Sequence, residues 1–146
     1  MVWIYANTYN SYLNRLSMLN NKIIRILFSK NKQTHVNLLY ELIESLPIIK
    51  LHEYSILMFV YNCVVNPNIL PEIFKEYFSQ SNFTTRYSSR RQFDLFVNQF
   101  NSSYGRKCLK NKGCILWNNI PNSIRSITER SLFSKAIKNY LLKNAV

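Results

Sequence analysis

The sequence predicts a mainly α fold: one small domain over residues 1–146, with about five or six helices and an irregular basic segment before the C-terminal helix. At most one short β-hairpin fits within that segment. Three observations predict this class. Apolar residues recur every three or four positions in three separate stretches, which places them on one face of a helix. Only 2 Gly and 4 Pro occur, too few for a turn-rich all-β chain. Finally, 47% of the 146 residues are hydrophobic, enough for a single core of ordinary domain size.

Tyr9, Tyr12, Leu16, Leu19, Ile23 and Ile26 describe one face of a long first helix, which Thr8 or Asn14 can cap. Arg15, Lys22 and Arg25 fall away from that stripe, in position to face a phosphate backbone. Thr34 can cap a second, shorter helix through Leu38, Leu39 and Leu42. This helix ends before Pro47, because the residue preceding a proline disfavours αR. Ile48 to Leu51 reads as a short connector. A third helix runs from about Leu51 to Val65, with Tyr54, Leu57, Met58, Tyr61, Val64 and Val65 inward. Asn66-Pro67-Asn68 stops it, and Pro71 suits the first turn of a fourth helix, Glu72 to Phe78.

The pattern changes over residues 79–111. Ser, Thr, Asn and Arg dominate Ser79 to Arg91, and no helical stripe survives. Phe93, Leu95 and Val97 alternate with Asp94 and Phe96, a weak strand signal. Arg86, Arg90, Arg91, Arg106, Lys107, Lys110 and Lys112 interleave with Phe83, Tyr87, Phe93, Phe96 and Tyr104. Cations bind phosphates and aromatic faces stack on unpaired bases, so the mixture suits single-stranded or junction nucleic acid. The competing reading is a loop whose aromatics fold onto the helical core.

Gly113 to Leu142 is the most informative stretch. Gly113 is able to take φ > 0, ending one element and letting Trp117 fold back on the core. Asn118 and Asn119 suit a bend, and Pro121 suits the start of a short turn. Ser131 then serves as N-cap of a last helix. Phe133, Ala136, Ile137, Tyr140 and Leu141 form its stripe, with Lys135, Lys138 and Lys143 off it. This corner predicts that Trp117 is buried against Phe133 or Ile137.

Several classes of chemistry are excluded. Three cysteines, an odd number, argue against a disulfide framework and for a reducing compartment. Cys108 and Cys114 lack the short spacing of a zinc knuckle, so no metal and no cofactor are expected. No secretory leader is evident, which points to an intracellular protein, nuclear or cytoplasmic. The most apolar run, Tyr54 to Val65, is shorter than the roughly 20 residues of a membrane span. Asp94 is the only aspartate, and no phosphate-binding loop, nucleophile elbow or metal-binding helix motif occurs. Polymerases need paired carboxylates to hold two metal ions, so catalysis by this chain is not expected.

The order Gly113, Trp117-Asn118, Ile120-Pro121 and Ile124-Arg125, followed by Ser131-Leu132-Phe133, Ile137-Lys138 and Tyr140-Leu141-Leu142, resembles the C-terminal region of non-LTR (LINE-type) retrotransposon reverse transcriptases. Earlier stretches resemble the same region in the same order. They are Trp3 with Asn7-Thr8-Tyr9 and Leu13-Asn14, Lys22-Ile23-Ile24-Arg25-Ile26, Phe83-Thr84-Thr85-Arg86, and Tyr104-Gly105-Arg106-Lys107. Arg15, Asn21 and Cys114 stand where proline, glutamine and proline are common in that family, which puts local turn geometry in question. The resemblance implies a non-catalytic module beyond the polymerase palm and thumb, helping to hold template RNA or target DNA.

Charge agrees with a polyanion partner. The net charge is +12 and uneven: residues 1–32 carry +5, residues 33–80 carry −3, and residues 81–146 carry +10. Such a field attracts polyanions and steers their approach. The expected contacts are Arg86, Arg90, Arg91, Arg106, Lys107, Lys110 and Lys112, with Arg15, Lys22 and Arg25 as a second patch. RNA or DNA is the expected partner, together with the remainder of a polymerase; no membrane and no small-molecule substrate are expected. A helical interaction or scaffolding module, or an inactive relic of such an element, is the alternative. A large exposed apolar patch favours the interaction module.

Overall fold

A computed structural model describes residues 10–74, 77–78 and 94–144. The fold is mainly helical, with seven α-helices among the described residues: α1 (Asn10–Leu27), α2 (Asn37–Leu42), α3 (Ile48–Val65), α4 (Ser103–Lys107), α5 (Leu109–Asn118), α6 (Asn122–Arg125) and α7 (Arg130–Lys143). The number exceeds the expected five or six because α4 and α6 are short turns without an apolar stripe of their own. The chain divides into two compact units, residues 1–55 with 135–146 and residues 56–134. The divisions fall within α3 and within α7.

In the first unit, α1 begins at Asn10, so Asn14 lies inside the helix and does not cap it; Thr8 and Tyr9 lie outside the described residues. Its buried residues are Leu13 and Ile24, whereas Tyr12, Leu16, Leu19, Ile23 and Ile26 are exposed. Ile24 packs with Val36, Leu39 and Tyr40 around α2, and Phe28 closes that cluster. The Tyr40 hydroxyl accepts from Asn20 Nδ2 at 2.7 Å and donates to Asn21 Oδ1 at 2.8 Å. A buried phenol thus meets two amides one step apart on α1, which satisfies it as burial requires.

Both α1 and α2 end on a left-handed residue other than glycine, Ser29 (φ 51°) and Glu44 (φ 47°). Lys30 N donates back to Arg25 O at 2.8 Å, and Ser45 N to Tyr40 O at 3.0 Å, the bonds of a Schellman ending. Thr34 does not cap α2. Val36 occupies that position with no side-chain cap, and the Thr34 carbonyl accepts instead from Arg25 Nε at 3.0 Å.

Residues Ile48 to Leu51 form the first turn of α3 and are not a connector. Leu51 N donates to Pro47 O at 2.8 Å, so the proline precedes the helix directly. Its fixed φ suits a helix start, and it restricts only the residue before it. Beginning there, α3 has 18 residues and is the one described helix long and apolar enough to cross a membrane, a test that the core helix of a soluble protein also passes. Its Ile56, Leu57, Val60 and Tyr61 are all at 1% exposure or less, packed within the second unit.

In that second unit, α3 stops before Asn66 as expected. The expected fourth helix is replaced, over its described part, by a 3₁₀ turn at Glu72–Phe74. Phe74, Tyr77 and Phe78 present ring edges to Phe59 at centroid distances of 5.4, 6.4 and 6.1 Å. Aromatic packing decides the path here, not helical periodicity. Residues 103–111, read from sequence as part of an irregular segment, are helical in α4 and the start of α5, apart from Cys108 between them. Ser102 Oγ accepts from Gly105 N at 3.1 Å and starts the first of them.

Leu95 is an isolated bridge residue, and the described part of Phe93 to Val97 forms no strand. Ser131 does not cap α7. The helix begins at Arg130, and Phe133 N donates to the Glu129 carbonyl at 2.9 Å. The stripe of α7 is otherwise as predicted: Phe133, Ile137 and Leu141 are buried, with Ala136 and Tyr140 half-buried.

Candidate nucleic-acid interface

The frame of the candidate surface is the α5–α7 corner. Trp117 is 2% exposed and its ring centroid lies 5.9 Å from that of Phe133, which in turn stacks on Tyr61 at 4.2 Å. The Tyr61 hydroxyl donates to the Thr128 carbonyl, anchoring the segment just before α7 to α3. The predicted Trp117–Phe133 contact is therefore present.

Gly113 acts differently from the sequence reading. It sits inside α5 with no positive φ. A Cβ there would lie 2.9 Å from Val60 Cγ2 and 3.1 Å from the Phe78 ring, so the glycine allows close helix approach, not a turn. Asn118 also belongs to α5 and not to a bend. Its Oδ1 accepts from Leu95 N at 2.8 Å and its Nδ2 donates to Leu95 O at 2.9 Å. One side-chain amide thus pairs both backbone groups of a buried residue, as a neighbouring strand would. Pro121 stands at the N-cap of α6, in keeping with its expected role.

The pairing of Arg125 with Asp94 does not follow from their spacing in the sequence. Arg125 Nη1 lies 2.7 Å from Asp94 Oδ1, with both side chains at or below 16% exposure. The lone aspartate is thereby committed to structure, and one cation of the C-terminal half is turned inward.

The predicted contact residues divide into four groups. Arg86, Arg90 and Arg91 lie outside the described residues. Arg106 is exposed, and Lys107, Lys110 and Lys112 are half-buried beside it at the α4–α5 junction. Lys110 Nζ lies 5.5 Å from the centre of the Tyr77 ring, and Lys107 and Lys112 are engaged within the chain. Arg15 and Lys22 are exposed on α1, whereas Arg25 is half-buried and held by the Thr34 carbonyl.

Helix α5 carries no acid in its first turn. The positive end of its dipole therefore adds to Lys110 and Lys112. Among the aromatics read as stacking candidates, Tyr104 and Phe96 are exposed and described; Phe83, Tyr87 and Phe93 lie outside the described residues.

Among the described residues no group of three His, Cys, Asp or Glu is arranged to hold a metal ion. The cysteines are free thiols, and desolvation pushes Cys63 and Cys114 up to about 11. The folded chain holds those two protons more tightly than the unfolded chain, whose thiols titrate near 9.0. Stability from them is complete below pH 9 and declines as pH rises toward 11. Alkylation by iodoacetamide near pH 8, followed by peptide mass spectrometry, should label half-buried Cys108 first. Equal labelling of all three cysteines in the folded chain would contradict this.

No protein-family model matches the chain, and neither a curated protein nor a solved structure was found to match it.

Proposed function

We propose that the chain is a non-catalytic helical module that binds RNA or DNA through phosphate contacts, as part of, or descended from, a LINE-type reverse transcriptase. The observation that carries the binding reading is the junction of α4 and α5. There Arg106, Lys107, Lys110 and Lys112 gather at a helix N-terminus that has no acidic residue in its first turn. Exposed Arg15 and Lys22 supply a second basic surface, and the net charge of +12 supplies long-range attraction. The retrotransposon origin rests on the ordered resemblance alone. An in-frame Tyr-x-Asp-Asp motif encoded upstream of Met1 is the observation that tests it.

Binding itself is tested by titrating labelled single-stranded and duplex oligonucleotides at several salt concentrations. A surface that neutralises roughly five phosphates gives a log–log salt slope near about −4 on duplex DNA. Substituting Arg86, Arg90 and Arg91 together with alanine should weaken binding to all sequences and flatten the slope, since phosphate contacts position without specifying. Absence of binding at low salt would refute the reading. An unchanged affinity and slope in the triple variant would show that those three arginines are not the contact surface.

A second reading, a helical interaction module, is favoured by one observation: the apolar face of α1 stands exposed. The two readings share Arg15 and Lys22 on α1, whereas the α4–α5 junction belongs to the first alone and the apolar seam of α1 to the second alone.

A further inference from the structure

Along α1, Tyr12, Leu16, Leu19, Ile23 and Ile26 step by four, three, four and three, which is the a/d spacing of a coiled-coil seam. These five side chains are between 51% and 71% exposed. The seam covers about 21 Å of helix, the span of a partner helix of similar length. Leu13 and Ile24, the buried residues of α1, lie off the seam, and Ile24 with Asn20 and Asn21 ties α1 to Val36, Leu39 and Tyr40. The seam is therefore not what this unit uses for its core.

The flanks of the seam say what fits it. Arg15 and Lys22 occupy the same edge one heptad apart, both exposed, and α1 contains no acidic residue. A second copy of α1 docked antiparallel would set Arg15 and Lys22 against their counterparts. Docked parallel, it would still bring no carboxylate to either edge. Polynucleotide offers no apolar face to match four leucine and isoleucine side chains. We propose that α1 docks an acidic amphipathic helix of a protein partner, with leucine or isoleucine at its a and d positions and glutamate beside them facing Arg15 and Lys22. This rests on the interaction-module reading and specifies the partner chemistry.

The probe is a synthetic peptide of about three heptads with Ile at a, Leu at d and Glu at e and g, measured against the full chain by fluorescence anisotropy. Its own glutamates oppose self-pairing. A twin peptide with Lys at e and g is the control. The expected result is a Kd on the order of 10 μM for the Glu peptide and at least about tenfold weaker binding of the Lys peptide. Leu19→Asp with Ile23→Asp should weaken the Glu peptide at least about thirtyfold, and both changes fall on exposed positions. Arg15→Glu with Lys22→Glu, which leaves the seam intact, should reverse the preference between the peptides. Failure of the Glu peptide to bind, or equal binding of the two peptides, overturns the proposal. Sedimentation equilibrium separates the levels of failure. A dimer that Leu19→Asp dissociates makes the occupant a second copy and spares the interaction reading. A monomer that binds neither peptide sinks both.

Discussion

Trp117→Ala is expected to destabilise the chain by about 3–5 kcal/mol, measured by urea or thermal denaturation. The indole is 2% exposed, so truncation removes its whole transfer free energy and leaves a cavity between α5 and the start of α7. The neighbours cannot close that cavity cheaply. Phe133 is fully buried and already stacked on Tyr61, and the Tyr61 hydroxyl is tied to the Thr128 carbonyl. Moving the phenylalanine into the gap would break that stack and pull on that bond. Native domains are stable by about 5–15 kcal/mol in total, so this one substitution removes a large share. Phe133→Ala should fall in the same range. The double variant should cost less than the sum, because the two rings share one contact. A loss below about 1 kcal/mol for Trp117→Ala would show that the corner is not a packed core.

That corner was legible in the sequence because its signals are local. Phe133, Ile137 and Leu141 repeat at helical spacing, and Trp117 precedes a proline turn, so burial and proximity follow from periodicity and chain geometry. The end of α3 at Val65 was legible for the same reason. Periodicity did not reveal which face of α1 is packed. Its most regular stripe is the exposed one, while Ile24 packs with Val36, Leu39 and Tyr40 in and just before α2, and Asn20 and Asn21 bond to Tyr40. Nothing within α1 encodes that choice.

Helix ends were also misread, each for a nameable reason. Ser29 and Glu44 take the left-handed conformation that glycine usually marks, in a chain with only 2 glycines to mark it. The α4–α5 segment is rich in Asn, Lys and Gly, weak helix formers in part, and is held as helix by tertiary contacts that propensity does not register. Of the candidate contact surface, the clustering of Arg106 to Lys112 was legible. The engagement of Lys110 with Tyr77, of Arg25 with Thr34 and of Arg125 with Asp94 was not, since each depends on residues brought together by the fold.

Gly113→Leu is expected to cost about 3 kcal/mol or more, through overpacking where α5 meets α3. Even alanine is resisted. At an exposed helix position, Gly→Ala gains about 1 kcal/mol from backbone propensity. Here the new Cβ would sit 2.9 Å from Val60 Cγ2 and 3.1 Å from two atoms of the Phe78 ring. Val60 is fully buried on α3, and a β-branched side chain in a helix has essentially one χ1 rotamer, so it cannot swing aside. Phe78 is buried as well and packs edge-on against Phe59. The helices must therefore separate slightly, and Gly113→Ala should be net destabilising by about 1 kcal/mol despite its propensity gain. The diagnostic is its combination with Val60→Ala. That change alone opens a cavity; combined with Gly113→Ala, the added methyl fills part of the space that the lost Cγ atoms leave. The double variant should be more stable than the sum of the singles by about 1 kcal/mol. If Gly113→Ala instead raises the denaturation midpoint, as at an exposed helix site, the close approach of α5 to Val60 is not a constraint on this fold.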